Sequence, residues 1–205
     1  MHFKKLGKSD LKVSSYCLGT MTFGETTSEN DGHSQIDKSL EYGINFFDTA
    51  EMYPTCPLRA ETTGNTEIII GNWIEKNKSK RPDIILASKI SGKGYKAVRN
   101  GEGINEKSIK IAIESSLKKL KTDYLDLYQL HWPNRGSYHF RQNWNYNPTT
   151  QDTETAKENI LQVLRALSDI QKEGKIRYIG LSNETCWGTT QFIHYLKEFP
   201  NLTLA

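Results

Sequence analysis

The chain has 205 residues, 36% of them apolar and 25% charged, a composition that describes one globular domain with a sizeable core and excludes disordered and membrane-embedded classes. Its net charge of +3, from 27 Lys and Arg against 24 Asp and Glu, comes from scattered residues, so nucleic acid is not an expected partner. No stretch approaches the roughly 18 apolar residues of a membrane span and residues 1–10 lack a signal-peptide core. Cys17, Cys56 and Cys186 have neither disulfide nor zinc spacing, which leaves a reducing cytoplasm as the expected setting and metal as an unlikely ligand.

In chain order, residues 2–5, the turn GKSD at 7–10 and residues 11–13 read as a β-hairpin, so that residues 1–14 are expected to cap one end of the fold. Five short apolar runs follow: residues 16–19 (YCLG), 44–47 (INFF), 84–87 (IILA), 124–130 (YLDLYQL) and 176–181 (IRYIGL). Their brevity and their aromatic, β-branched and Leu content suit strands buried on both faces. Helical spacing lies between them. Ile36 and Leu40 precede Gly43, and Ile69 and Trp73 mark a second helix. Ile109, Ile113, Leu117 and Leu120 share one face of residues 105–121, and Ile160, Val163, Leu164, Leu167 and Ile170 precede Gly174, a natural C-terminal stop. A weaker helical stretch covers residues 185–198, and residues 202–205 could begin a sixth strand.

Such alternation predicts a parallel sheet with right-handed crossovers. An eight-stranded parallel barrel typically takes about 250 residues, so the pattern is either an open sheet or a barrel short of its end. One connection is long: residues 132–155 contain Arg135, Gly136, Tyr138, Trp144, Asn147 and Pro148 without apolar periodicity. Loops of this length are commonly functional or disordered, and these aromatics would suit a lid over an apolar substrate.

Parallel α/β folds present their chemistry at the C-terminal ends of the strands. The first run is followed by Thr20 and Met21, the second by Asp48, Thr49 and then Tyr53, the third by Ser88 and Lys89, the fourth by His131 and Trp132, and the fifth by Ser182 and Asn183. Singly, each reads as a loop residue; their convergence on one face is the signal. Hydride reduction of a carbonyl needs a proton donor for the nascent alkoxide, and a phenol, with an ordinary pKa near 10, needs a neighbouring cation for that task. Tyr53 fits as the general acid, Lys89 as the cation that stabilises its phenolate, Asp48 as the anchor of Lys89, and His131 as the group orienting the carbonyl. Ser182 and Asn183 could hydrogen-bond a nicotinamide carboxamide. Asp126 and Gln129, within a strand, read as structural polar residues; Glu51 and Met52 read as shaping the loop before Tyr53; and His2, His33, His139 and His194 read as surface or capping groups.

The segments GTMTFG (19–24), DTAEMY (48–53), ASK (87–89), LHWP (130–133) and GKIRYIGLSNE (174–184) resemble the signatures of the aldo-keto reductase family, and TMTFGE, AEMYP and NETCWG resemble most its Tas-type bacterial branch. The resemblance implies a (β/α)8 TIM-type barrel, here an incomplete single domain over residues 1–205 with about five to six of eight strands. It implies a catalytic tetrad at Asp48, Tyr53, Lys89 and His131, with Trp132 joining Tyr53 and His131 on the substrate. Gly19, Thr20, Met21, Asp48, Ser182 and Asn183 would border the cofactor. That cofactor would be NADP(H), held without a Rossmann motif, and no G-x-G-x-x-G opens a helix here.

On the same resemblance, the strands that grip the adenosine phosphate lie beyond Ala205, so truncation is expected. The expected activity is NADPH-dependent reduction of an aldehyde or ketone. A nicotinamide-binding regulatory module and an inactive fragment are the alternatives; the intact tetrad argues against the former.

Overall fold

The computed structural model describes residues 1–140 and 142–205; Arg141, inside the long connection, lies outside the described residues. The chain opens with an antiparallel pair, β1 (Phe3–Lys5) and β2 (Lys12–Ser14). Five parallel strands follow in sequential spatial order: β3 (Cys17–Gly19), β4 (Phe46–Asp48), β5 (Ile85–Ile90), β6 (Leu125–Leu130) and β7 (Ile176–Leu181). Crossovers between them carry α1 (Glu29–Glu41), α2 (Asn65–Lys76), α3 (Glu106–Leu120) and α4 (Thr153–Lys172), and α5 (Cys186–Tyr195) follows β7. This is the expected α/β architecture, an incomplete barrel in which each strand pairs with the next. A parallel bridge joins Ile179 to Leu204, flanked by bonds from Ile179 N to Thr203 O (3.1 Å) and from Ala205 N to Ile179 O (3.0 Å). Residues 202–205 thus begin a sixth row beside β7.

Local sequence sets the helix ends. Asn105 and Ser108 form a reciprocal capping box at the start of α3, Asp152 accepts from the backbone of Glu154 and Thr155 at α4, and Thr185 accepts from Gly188 N at α5. Gly174, just past α4, takes a φ of 77°, a left-handed turn that side-chain-bearing residues resist. The apolar stripes foreseen on α3 and α4 pack on the outer face of the sheet: Ile109, Ile113, Leu120, Leu164 and Leu167 are fully buried with Leu86 and Tyr128.

The strand bounds shift from the sequence reading at several ends, most at β4 and β5. Residue 44 lies ahead of β4, which runs to Asp48, and β5 continues through Ser88 and Lys89 to Ile90. Polarity alone marked Ser88 and Lys89 as strand ends. They remain within the buried strand because each meets a partner: Ser88 Oγ donates to the fully buried Glu67 (2.7 Å), and Lys89 meets Asp48.

The hairpin packs against residues of β4, β5 and β7. Leu11 and Val13 join Ile85 in a small core with Leu6, Phe46 and Tyr178, residues from the N-terminal ends of β4, β5 and β7. The floor of the sheet's concave face is therefore filled with side chains, and its opposite end is left for chemistry.

Helices α2 and α3 cross closely at Gly71, where an added Cβ would collide with the Lys119 carbonyl oxygen and the Leu120 backbone. Replacing Gly71 with Ala should therefore destabilise the protein by about 1–3 kcal/mol, despite the better helix propensity of Ala. Urea unfolding would measure it, and an unchanged or raised midpoint would contradict this packing.

Candidate active site

The parallel register delivers the site. Gly19 lies opposite Asp48 and Asp48 opposite Ala87; one pleat further along, Lys89 lies opposite Gln129 and Gln129 opposite Gly180. Asp48 and Lys89 thus stand on neighbouring strands, one step apart along them, and their side chains meet: Lys89 Nζ donates to Asp48 Oδ2 (2.5 Å) and to the Thr49 carbonyl (2.8 Å). The second Asp48 oxygen accepts from Gln129 Nε2 (2.8 Å). Gln129, read from sequence as a structural polar residue, therefore holds the carboxylate that holds Lys89. The signal was available: Gln129 is two residues before His131, on the same face of the strand.

Tyr53 arrives on the loop after β4. Its backbone is pinned by bonds from its own N to Ala50 O (3.0 Å) and from Gly64 N to its carbonyl (2.9 Å). The phenol oxygen lies 3.4 Å from Lys89 Nζ, and the ammonium also stands 4.8 Å from the Tyr53 ring centroid. His131, directly after β6, completes the group, its ring edge-on to Tyr53 at a centroid separation of 5.6 Å. The structure thus brings Asp48, Tyr53, Lys89 and His131 together at one mouth.

Electrostatics distinguish these residues. His131 is buried, its Nδ1 without a hydrogen-bond partner among the described residues. Burial, reinforced by the Lys89 charge, pushes its pKa down to about 3, so the ring is neutral at physiological pH. A neutral imidazole carries one N–H that it can offer to an oxygen acceptor. The nearby phenol of Tyr128 is a poor acid: burial, then the charges of Glu51 and Glu67, hold it well above the ordinary phenol range. Tyr53 is the phenol that stands beside an ammonium.

Around this centre, Trp132 lies 4.9 Å from the His131 ring, and Phe140 packs edge-on to both Trp132 (5.4 Å) and His131 (6.2 Å). The long connection therefore sends two aromatics, Trp132 and Phe140, to the tetrad, while Tyr138 packs tilted on His139 and edge-on to Tyr146, and Trp144 is exposed. Ser182 and Asn183 follow β7 as foreseen. Asn183 Nδ2 donates to the His131 carbonyl (2.9 Å) and to Ser182 Oγ (3.0 Å), which leaves its carbonyl oxygen without a partner among the described residues. Thr20 is buried with its hydroxyl committed to Asp48 O (2.8 Å), Met21 is exposed, and the Cβ direction of Gly19 opens on empty space. Arg135 and Glu184 form a half-buried, bidentate ion pair that ties the loop after β6 to the loop after β7.

A cavity of about 710 Å³ lies off to one side, between the start of α4, residues 101–105 and Phe192 of α5. It touches the mouth through Trp132 and Ser182 but contains none of the tetrad, so the chemistry is assigned by side-chain geometry rather than by that hollow. Among the described residues, no group of three His, Cys, Asp or Glu could hold a metal, and no helix is long and apolar enough to cross a membrane.

A model of the Aldo/keto reductase family matches residues 16–205. Protein tas of Escherichia coli (strain K12) is 46% identical over 197 residues, which cover 95% of this chain and 55% of that protein. Among solved structures, the thermostable aldo-keto reductase Tm1743, in complex with the inhibitor epalrestat, matches with a TM-score of 0.68 at 25% identity, covering 95% of this chain and 58% of that one. The holo form of aldo-keto reductase AKR11C1 from Bacillus halodurans matches with a TM-score of 0.66 at 31% identity, over 96% and 54%. The chain spans about half the length of the curated relatives it matches.

The suppressed basicity of His131 has a measurable consequence. Its ring carbon protons should show no NMR titration from pH 8 to pH 5, whereas an exposed His titrates near its ordinary value of 6.5. Because the unfolded chain takes up this proton and the folded chain does not, His131 should subtract stability as pH falls from about 6.5 toward about 3. A His131 resonance titrating near neutrality would overturn the neutral assignment.

Proposed function

The chain belongs to the aldo/keto reductase family, and from that premise we propose that it reduces the carbonyl of an aldehyde or ketone to an alcohol, with Tyr53 as general acid. The observation that carries this reading is the chain of contacts from Asp48 to Lys89 to the Tyr53 hydroxyl, 2.5 Å and then 3.4 Å, beside a neutral imidazole.

A nicotinamide cofactor, NADPH by the resemblance of the sequence motifs, would supply the hydride when bound. The residues present fit such a ring. Gly19 opens on free space where a side chain would intrude, and Ser182 and the carbonyl oxygen of Asn183, without a partner among the described residues, could meet a carboxamide. The absence of a helix-opening G-x-G-x-x-G means that these strand-end residues, rather than a Rossmann turn, would do the holding.

The protein's own groups divide the remaining work. His131 offers its N–H to the carbonyl oxygen and fixes that atom near Tyr53. As negative charge grows on the oxygen, the Tyr53 hydroxyl donates its proton, and the Lys89 ammonium stabilises the phenolate left behind. Asp48 neutralises and aims Lys89, while Gln129 keeps Asp48 from turning away. Trp132 and Phe140 present an aromatic wall to the substrate and shield the reacting oxygen from water.

Benzaldehyde and NADPH provide the direct assay, followed by loss of reduced-nicotinamide absorbance. Replacing Tyr53 with Phe should lower kcat by roughly 10²- to 10⁴-fold, the usual contribution of a positioned general acid. NADPH should still quench the fluorescence of the four Trp residues in that variant. Undiminished turnover would remove Tyr53 from the acid role.

A further inference from the structure

Glu51 lies two residues before Tyr53, yet it is 4% exposed and turned inward. One of its carboxylate oxygens accepts from Ser91 N (2.5 Å), two residues beyond Lys89, and the other pairs with the guanidinium of Arg99. Arg99 in turn donates to the Ser91 carbonyl (3.0 Å), and Glu51 N donates to the Lys89 carbonyl (3.2 Å). The loop that carries the acid and the strand end that carries the ammonium are therefore joined by a closed set of bonds around one buried ion pair.

The segment that delivers Arg99, residues 91–105 between β5 and α3, reaches further. Its Tyr95 hydroxyl meets Thr63 Oγ1 (2.7 Å) on the Tyr53 side of the mouth, and its Lys93 carbonyl accepts from Trp132 Nε1 (3.1 Å) on the His131 side. Arg99 itself sits at a φ of 44°, a conformation that a side-chain-bearing residue keeps only when its surroundings hold it there.

We propose that Glu51 and Arg99 are positioning residues: their buried ion pair locks residues 91–105 as a bracket across the mouth and sets the spacing between the Tyr53 hydroxyl and the Lys89 ammonium. A buried carboxylate and guanidinium side by side would need no functional explanation if they merely filled the interior. This pair, however, starts from a residue two before the acid, and both of its side chains bond the backbone of Ser91, two residues beyond the cation. A displacement of about 1 Å at such a site is enough to cost on the order of 10² in rate. The proposal rests on the reductase reading for its kinetic consequence but not for its structural one, so two readouts separate the two.

The variants are Glu51→Gln, which keeps the shape and removes the charge, and Arg99→Lys, which keeps the charge and removes the fork. With NADPH and benzaldehyde, Glu51→Gln should lower kcat by roughly 10- to 100-fold while KM for benzaldehyde stays within about threefold. Arg99→Lys should fall between it and the parent protein. Adding Glu51→Gln to a Tyr53→Phe background should produce little further loss, because the pair acts through Tyr53. A full additional loss in that background, or an unchanged kcat in Glu51→Gln, would overturn the proposal.

Amide hydrogen exchange at Ser91 gives the second readout and needs no turnover. It should accelerate in Glu51→Gln, and in Arg99→Lys if the former fails to fold; exchange at the parent rate would refute the bracket. If the parent protein and Tyr53→Phe reduce benzaldehyde equally, Tyr53 loses the acid role although reduction stands, and the exchange result alone decides the bracket.

Discussion

An ammonium taken out of water must be met by oxygen atoms that replace its hydration, and in this protein that requirement falls on Lys89, whose side chain is 6% exposed. Asp48, the Thr49 carbonyl and the Tyr53 hydroxyl answer it. Each of these ligands constrains something else. Asp48 fixes the end of β4 against β5, the Thr49 carbonyl sets the path of the departing loop, and the phenol brings that loop back across the mouth. Gln129 then locks the free oxygen of Asp48 from the other side. Fold and site are one problem here, because the strand that a charge would otherwise disrupt is stabilised by the same contacts that set an ammonium beside a phenol.

The scaffold makes those contacts cheap to arrange. Parallel strands in register bring residues of matching parity to one face, so Asp48, Lys89, Gln129 and the following His131 need no special backbone to converge. What they need is an empty upper end, and the hairpin core of Leu11, Val13 and Ile85 fills the lower one. On the outer face the helices bury the complementary residues, Leu86, Tyr128 and Leu130 among them. Loops at the mouth are then tied in neighbouring pairs by largely desolvated carboxylate–guanidinium contacts: Glu51 with Arg99 across β4 and β5, and Arg135 with Glu184 across β6 and β7. Charges so desolvated contribute little net stability compared with apolar packing, but they fix the geometry of the loops they join.

His131 illustrates how the same desolvation serves opposite ends. Lys89 is charged and surrounded by oxygen; the imidazole nearby is buried, faces that cation, and is driven to its neutral form. A protonated ring would repel Lys89, so one buried charge excludes the other. Two titratable neighbours with opposed environments divide into a stabilising cation and a neutral hydrogen-bonding ring.

Strands, helices and their order were legible from the sequence, because apolar runs and helical stripes obey local periodicities that each segment expresses alone. So was the meeting of Asp48, Tyr53, Lys89 and His131 at one mouth, since position after an apolar run is itself a local signal. The exact ends of β5 were not, because Ser88 and Lys89 are polar and only their distant partners, Glu67 and Asp48, permit them inside a strand. Nor were the contact of Gln129 with Asp48 and the pairing of Glu51 with Arg99, which join residues 81 and 48 positions apart. Their identities hint at polarity and nothing more. A sequence displays what a residue prefers within its own turn or strand; which charge it meets across the molecule depends on a register and a loop path that exist only after the chain has folded.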